Sequence, residues 1–333
     1  MIYIRADANK NIGMGHVMRC LSIADAILQY DEDITFVLAD DTVSKLINDR
    51  GFKTVVLNTD YRKMDSEIEN WPKEEADLII VDSYFVTNSF FDGLKCKGRL
   101  AYIDDLFSFQ YNVDMLINYN VYADRARYEE LYNDSRMPML LLGPEYAPLR
   151  KMFSSVKAKK QNEVVKDILF STGGSDSLHL ALSIIKAKHD DLIYHFIVGP
   201  LNCDKEEIKT LASKNAGVVI HENVTDMKSL ISDCDIAVSA AGSTLYEICA
   251  CGTPIITFVT ADNQADGADY FEKAGLAVNV GDMRLDSDTA GRLLKKVGEL
   301  ADDEAKRAKM SKLAQEKVDG KGAERIARAL SLS

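Results

Sequence analysis

Two doubly wound α/β domains are the architecture predicted by this 333-residue sequence, and three observations predict it. Short apolar runs alternate with helical periodicity along most of the chain, a pattern that gives parallel strands joined by right-handed helical crossovers. The alternation runs twice, on either side of a less regular stretch at residues 121–166 that contains prolines and the cationic run Lys157-Ala158-Lys159-Lys160. At roughly 150 residues per domain, the length allows two separate cores.

In the first half the strand candidates are residues 1–6 (MIYIRA), 34–39 (ITFVLA), 54–58 (TVVLN), 77–82 (DLIIVD), 100–105 (LAYIDD) and 115–120 (MLINYN). Val17, Leu21, Ala24 and Leu28 recur near helical spacing and predict an amphipathic helix over 15–29. Val43 and Ile47 mark a shorter helix that stops at Gly51. The domain change falls in 149–165, which gives domains 1–148 and 149–333. The second half repeats the pattern with strands at 167–174, 192–199, 216–221, 234–242, 254–260 and 275–281. Helical runs intervene at 177–188, 204–214, 243–250 and 263–273, and a last one covers 288 to about 330. That final helix either closes the second domain or crosses back to the first. Two such sheets are expected to hold a ligand near C-terminal strand ends, at a cleft.

Composition narrows the partners. Forty Lys and Arg stand against 52 Asp and Glu, a formal charge of −12, which disfavours a general nucleic-acid binder. A small diphosphate remains compatible with local loops and a few cations. No apolar run reaches the 18 or more residues of a membrane span, and MIYIRAD reads as a strand, not a signal peptide. The six cysteines include one close pair, Cys249 and Cys251, without zinc-type spacing. A reducing cytoplasm is the expected compartment, no metal and no cofactor is expected, and a monomer is chemically sufficient.

The strongest local feature is R-A-D-A-N-K-N-I-G-M-G-H-V-M-R-C, residues 5–20, joining the first strand to the first helix. Gly13 and Gly15 permit close approach of backbone N–H groups to an anion. The spacing matches neither the G-x-G-x-x-G nor the Walker A pattern. His16 opens the helix, where the dipole disfavours imidazolium; a neutral, proton-accepting base is the functional reading, and a histidine bonded to a carbonyl is the structural one. Arg19, one turn on, faces either a phosphate or an internal ion pair. Asp7, Asp82, Asp104 and Asp105 end strands, and V-D-S-Y sets Asp82 and Tyr84 where an open sheet presents ligand-facing groups, with helix capping the alternative for Asp82 and Asp105.

In the second half, Gly173, Gly174 and Ser175 of F-S-T-G-G-S-D offer backbone donors to a diphosphate, or make a plain turn. Gly242, Ser243 and Thr244 stand at another helix start. Glu247 suits vicinal ribose hydroxyls, or a capping box with Thr244. Asn263 and Gln264 suit a sugar better than a metal.

IRADANKNIGMGHVMRCLSIADAIL closely resembles the N-terminal signature of the UDP-sugar hydrolases of pseudaminic acid biosynthesis, relatives of the peptidoglycan N-acetylglucosaminyltransferase. STGGSD and SAAGSTLYEICACGTPIITFVTADNQ resemble the nucleotide-sugar half of that superfamily, and the similarity spans about residues 1–280. The resemblance implies the GT-B fold, two Rossmann-like domains with mostly parallel sheets facing across a cleft. It implies that His16 activates water, Tyr84 lines the sugar pocket, Asn263 lies in the active site, Glu247 holds ribose, and Gly242, Ser243 and Thr244 bind phosphate. The implied reaction releases UDP from UDP-2,4-diacetamido-2,4,6-trideoxy-β-L-altropyranose without a metal. A glycosyltransferase with the same fold, a hydrolase of a related UDP-diacetamido sugar, and a non-catalytic nucleotide-sugar-binding protein are the alternatives. The phenylalanines Phe85, Phe90, Phe91, Phe107 and Phe109 mark either an acceptor-side apolar patch or buried packing.

Overall fold

A computed structural model describes residues 1–333 except 10, 11, 31, 32, 134, 174, 175, 189, 190, 200, 201, 286, 287 and 333. The chain divides into two units, Met1–Lys151 with Lys321–Ser333, and Met152–Gly320.

The first unit runs β1 (Ile2–Ala6), α1 (Gly15–Ile27), β2 (Ile34–Leu38), α2 (Ser44–Asp49), β3 (Lys53–Val56), β4 (Leu78–Asp82), α3 (Asn88–Leu94), β5 (Arg99–Ile103), β6 (Met115–Asn118), α4 (Arg125–Leu131) and β7 (Met139–Leu142). Its seven strands pair in the order β3-β2-β1-β4-β5-β6-β7, and the pairs are parallel. β1 sits centrally, with Ile4 in register with Phe36 on one side and Ile80 on the other. β1, β2 and β4 are buried at every position. Strands covered on both faces need continuous apolar sequence, which is why they read as runs without alternation. An aromatic core built on Trp71, Phe90, Phe91, Tyr102, Tyr111 and Tyr128 fills the β4–β6 side. Phe90, Phe91 and Phe107 are buried in it, and Phe85 and Phe109 pack against it, so these phenylalanines are packing residues.

The second unit continues with β8 (Asp167–Ser171), α5 (Leu180–Ala187), β9 (Ile193–Ile197), α6 (Lys205–Ala212), β10 (Val218–His221), α7 (Met227–Asp233), β11 (Ile236–Ala240), α8 (Thr244–Cys251), β12 (Ile255–Val259), α9 (Ala265–Lys273), β13 (Ala277–Asp282), α10 (Thr289–Ala301) and α11 (Glu304–Lys317). Six parallel strands follow the order β10-β9-β8-β11-β12-β13. The chain ends in α12 (Gly322–Leu332), which packs on α1 in the first unit.

Two expectations need correction. Residues 121–166 are not uniformly irregular: Met139–Leu142 forms edge strand β7, with Leu141 opposite Ile117. Four residues between a proline and a glycine are too short for periodicity to register. The continuous helix over 288–330 is three helices. Asp303 accepts from Lys306 N at 2.8 Å and starts α11. Gly320 then takes φ +76°, where a Cβ would lie 2.1 Å from the Phe153 carbonyl oxygen, so the chain turns there by necessity.

Each sheet order reverses direction once at its centre. In the first unit the β1 chain leads to β2 on one side while β4 lies on the other; in the second, β8 is flanked likewise by β9 and β11. Loops at the carboxyl ends of such strand pairs diverge and leave a crevice for a ligand. The glycine loop after β1, Asp82 at the end of β4, Gly173 after β8 and Gly242 after β11 all occupy these switch points.

Candidate active site

Helix α1 begins at Gly15, directly behind an exposed loop in which Gly13 has φ +74° and donates its N–H to the Asn9 carbonyl at 2.8 Å. Among the described residues, the N–H groups of Gly15, His16 and Val17 have no acceptor, as the first turn of a helix requires. No side chain caps this end. The electropositive terminus therefore faces outward beside His16, whose side chain is 6% exposed.

Asp82 organises the group. Its Oδ1 lies 2.6 Å from His16 Nδ1 and accepts from Arg19 Nη2 at 2.5 Å. Its Oδ2 accepts from Arg19 Nε at 2.5 Å and from Cys20 Sγ at 3.6 Å. The arginine grips the carboxylate with two nitrogens, a bidentate geometry that fixes both planes. Arg19 Nη1 then donates to Asp105 Oδ2 at 2.9 Å and to the Tyr119 hydroxyl at 2.8 Å. Asp105 also accepts from Asn120 Nδ2 at 2.9 Å and from the Tyr84 hydroxyl at 3.3 Å. The Tyr84 ring meets the His16 ring edge-on, with centroids 4.6 Å apart.

Charge balance explains how buried ions persist here. Burial alone pushes the Asp82 carboxyl up; Arg19 and His16 overcome it and hold the group well below the ordinary carboxylate range. Burial works against the Arg19 charge, yet Asp105 and Asp82 raise its pKa well above the usual value. Burial and then Asp105 push the Tyr84 phenol up, and burial brings Tyr119 to about 12. Both phenols stay protonated donors at neutral pH.

An ionised Asp82 acting as acceptor fixes the neutral His16 ring with its proton on Nδ1. Nε2 then carries the lone pair, and no described residue hydrogen-bonds to it. This is a histidine oriented to take a proton, with a carboxylate to stabilise the imidazolium that results.

The first-half candidates Gly13, Gly15, His16, Arg19, Asp82 and Tyr84 are thus brought together at one switch point. Arg19 is committed to an internal network, and neither Asp82 nor Asp105 caps a helix. Asp7 is structural: it accepts from Arg5 Nη1 at 2.5 Å and Ala39 N at 2.8 Å. Asp104 is structural too, accepting from the Tyr128 hydroxyl at 2.6 Å and the Tyr111 hydroxyl at 2.9 Å. Tyr119 and Asn120 were missed by sequence reasoning, although both follow β6 at the same sheet edge.

In the second unit, Gly242 and Ser243 are exposed at the start of α8, and no side chain caps it. The N–H groups of Ser243 and Thr244 have no acceptor among the described residues. Ser243, not Thr244, occupies the capping position, so the capping box considered for Glu247 does not form; Glu247 is half-buried in the first turn. Gly173 is exposed with φ +88°; Gly174 and Ser175 lie outside the described residues. Asp176 caps α5, accepting from Leu180 N and Ala181 N, each at 3.0 Å. Gln264 is partly committed, its Oε1 accepting from Thr260 N at 2.8 Å, whereas Asn263 is exposed and without a side-chain partner among the described residues. Among the described residues, no helix is long and apolar enough to cross a membrane.

Two doubly wound parallel sheets with ligand-type loops at their switch points define a GT-B protein. The profile of the glycosyltransferase family 28 C-terminal domain matches residues 155–326, and the chain belongs to that family. The whole chain is similar in structure to MurG of Acinetobacter baumannii, with TM-score 0.70 and 12% identity over 100% of this chain and 99% of that one. The calicheamicin glycosyltransferase CalG4 gives TM-score 0.66 at 13% identity, covering 99% and 97%.

Sequence relatives are also distant. Uncharacterized protein MJ1062 of Methanocaldococcus jannaschii is 25% identical across 82% of this chain, which spans 58% of that protein's length. The spore coat polysaccharide biosynthesis protein SpsG of Bacillus subtilis is 24% identical over 97% of this chain and 95% of its own. The UDP-2,4-diacetamido-2,4,6-trideoxy-beta-L-altropyranose hydrolase of Campylobacter jejuni is 24% identical, covering 83% and 98%.

Proposed function

We propose that the protein is a metal-independent UDP-sugar hydrolase that cleaves UDP-2,4-diacetamido-2,4,6-trideoxy-β-L-altropyranose to UDP and the free diacetamido-trideoxy sugar. The observation that carries the reading is the His16–Asp82–Arg19 arrangement at the start of α1. The similarity to the Campylobacter jejuni hydrolase supports the substrate, and the family 28 domain supports a nucleotide-binding second unit.

In this mechanism water attacks the anomeric carbon from the face opposite UDP. The new carbon–oxygen bond forms as the bond to the diphosphate oxygen breaks, with inversion. His16 Nε2 takes the proton of the attacking water, and Asp82 holds the imidazolium that forms. UDP leaves with the bonding electron pair. Because the diphosphate is already a competent leaving group, the protein's task is to place water and to offer donors to the departing charge. The α8 start, with the Ser243 and Thr244 N–H groups, offers such donors, with Gly173 after the neighbouring strand β8 contributing as well. Glu247 receives the ribose hydroxyls, while Tyr84, Asn263 and Gln264 contact the sugar. The product enters the pseudaminic acid route in the cytoplasm, and a monomer is enough.

A glycosyltransferase reading uses the same base on an acceptor hydroxyl. The test is turnover of purified UDP-diacetamido-trideoxy sugars with no acceptor present, for the wild type and His16→Gln. The hydrolase reading expects acceptor-free UDP release with the altro sugar that the variant loses. Release only after acceptor addition would replace it with the transferase.

A further inference from the structure

One side-chain cluster lies outside the proposed chemistry. It joins His179, where α5 starts, to Cys203 and Asp204, which immediately precede α6. Sequence spacing hides it, because the histidine is separated from the other two by α5 and β9. In the fold, β8 and β9 are parallel neighbours, so their following loops emerge at the same sheet edge.

We propose that His179, Cys203 and Asp204 form a binding site for one divalent metal ion of the zinc type. A ligand atom from each residue lies within 4.8 Å of the other two. Nδ1 of His179 is in hydrogen-bond contact with Asp204 Oδ2, and Cys203 Sγ lies 3.7 Å from the other oxygen, Oδ1. Metal–ligand bonds of ~2.0–2.3 Å in a tetrahedron set neighbouring donors ~3.3–3.7 Å apart; the Cys203–Asp204 pair already has that separation, and the hydrogen-bonded His179–Asp204 pair opens to admit the ion. Imidazole, thiolate and carboxylate together are a donor set that zinc accepts, with a fourth position left for water or a ligand oxygen.

The local backbone favours the assembly. His179 is held at φ +55°, ψ +32°, a left-handed conformation that costs a residue with a Cβ ~1–2 kcal/mol. In that conformation the His179 ring meets Asp204 Oδ2. The Asp204 N–H donates to Asn202 Oδ1 at 2.8 Å, and Asn202 is buried, which anchors the acidic ligand. Cys203 and His179 are exposed, so an ion has an entry path.

Charge also balances. Binding through Nδ1 takes the Nε2–H tautomer, and the Cys203 thiol proton leaves to solvent. Thiolate and carboxylate then offset the two charges of the ion. The site belongs to the second unit and no hydrolytic step passes through it, so it is compatible with a metal-independent reaction.

The test is a Co²⁺ titration of the full chain after chelator treatment, followed by absorbance, with Zn²⁺ competition. One equivalent should bind, with a thiolate-to-cobalt charge-transfer band in the near ultraviolet that Zn²⁺ abolishes. Cys203→Ser should lose the band, and His179→Gln should weaken binding by at least about tenfold. Cys96→Ser, at an exposed cysteine in the first unit, should behave as wild type. A saturable band that survives Cys203→Ser, unchanged affinity in His179→Gln, or no saturable binding would each overturn the proposal. Thermal melts of the apo variants exclude loss of fold as the cause.

Discussion

Replacing Asp82 with asparagine separates the orientation of His16 from its presence. The amide keeps the size of the carboxylate but has one acceptor oxygen and one donor nitrogen. In wild type, Oδ1 serves both His16 Nδ1 at 2.6 Å and Arg19 Nη2 at 2.5 Å, while Oδ2 serves Arg19 Nε at 2.5 Å. If the amide nitrogen faces Arg19, two donors oppose each other. Turned towards His16, it favours the tautomer protonated on Nε2, which has no lone pair for water. Either arrangement loses one of the two arginine bonds, since both oxygens accept from Arg19, and the one turned towards His16 reverses the tautomer. A histidine locked in the wrong tautomer loses on the order of 10⁴ in turnover, about 5 kcal/mol of transition-state stabilisation.

Stability should suffer less than the ~3–5 kcal/mol for breaking a buried pair, because Arg19 keeps Asp105 at 2.9 Å and Tyr119 at 2.8 Å. A loss of about 2 kcal/mol corresponds to a fall of roughly 4–8 °C in the melting temperature of a unit this size. The assay is steady-state UDP release, paired with thermal melting and with UDP affinity, which should be unchanged. A folded variant whose turnover stays within about tenfold of wild type would refute the orienting role.

Gly15→Ala and Gly242→Ala probe backbone approach to the diphosphate: an added Cβ meets nothing within 4 Å at either position, so melting temperature should hold while UDP-sugar KM (Gly15) and UDP Kd (Gly242) rise about tenfold or more. Tyr84→Phe keeps the ring against His16 and removes only a 3.3 Å hydroxyl contact, so kcat should fall less than tenfold, about the size of one hydrogen bond, and Tyr84→Ala further. Gly320→Ala should lower stability by about 3 kcal/mol or more, read by denaturant midpoint, because its Cβ would lie 2.1 Å from the Phe153 oxygen at φ +76°. Asp82 has a folded pKa below the unfolded value of ~3.9, so its contribution is complete above about pH 4 and is lost as pH falls through the folded value. The melting-temperature gap between wild type and Asp82→Asn should therefore be constant at neutral pH and close in acid.

Much of the fold was readable because buried parallel strands must be continuous apolar runs: β1, β2 and β4 are buried at all five positions each. β7 escaped because four residues with one face half-open carry no period. The break between α11 and α12 escaped because Gly320 turns in response to the Phe153 backbone, a partner remote in sequence. At the candidate site, His16 and Asp82 could be picked out singly, since each stands where a strand meets a loop. Their pairing was not legible, nor was the commitment of Arg19 to Asp82 and Asp105, because each link spans more than sixty residues. The assembly of His179 with Cys203 and Asp204 was hidden because α5 and β9 lie between them in sequence.

Turnover of UDP-2,4-diacetamido-2,4,6-trideoxy-β-L-altropyranose in ¹⁸O-water, without acceptor, tests the central claim most directly. Attack at the anomeric carbon puts the label in the C1 hydroxyl of the released sugar and leaves UDP unlabelled. Label in the UDP phosphate would contradict a His16-activated water acting at carbon, and the absence of turnover would contradict the hydrolase itself.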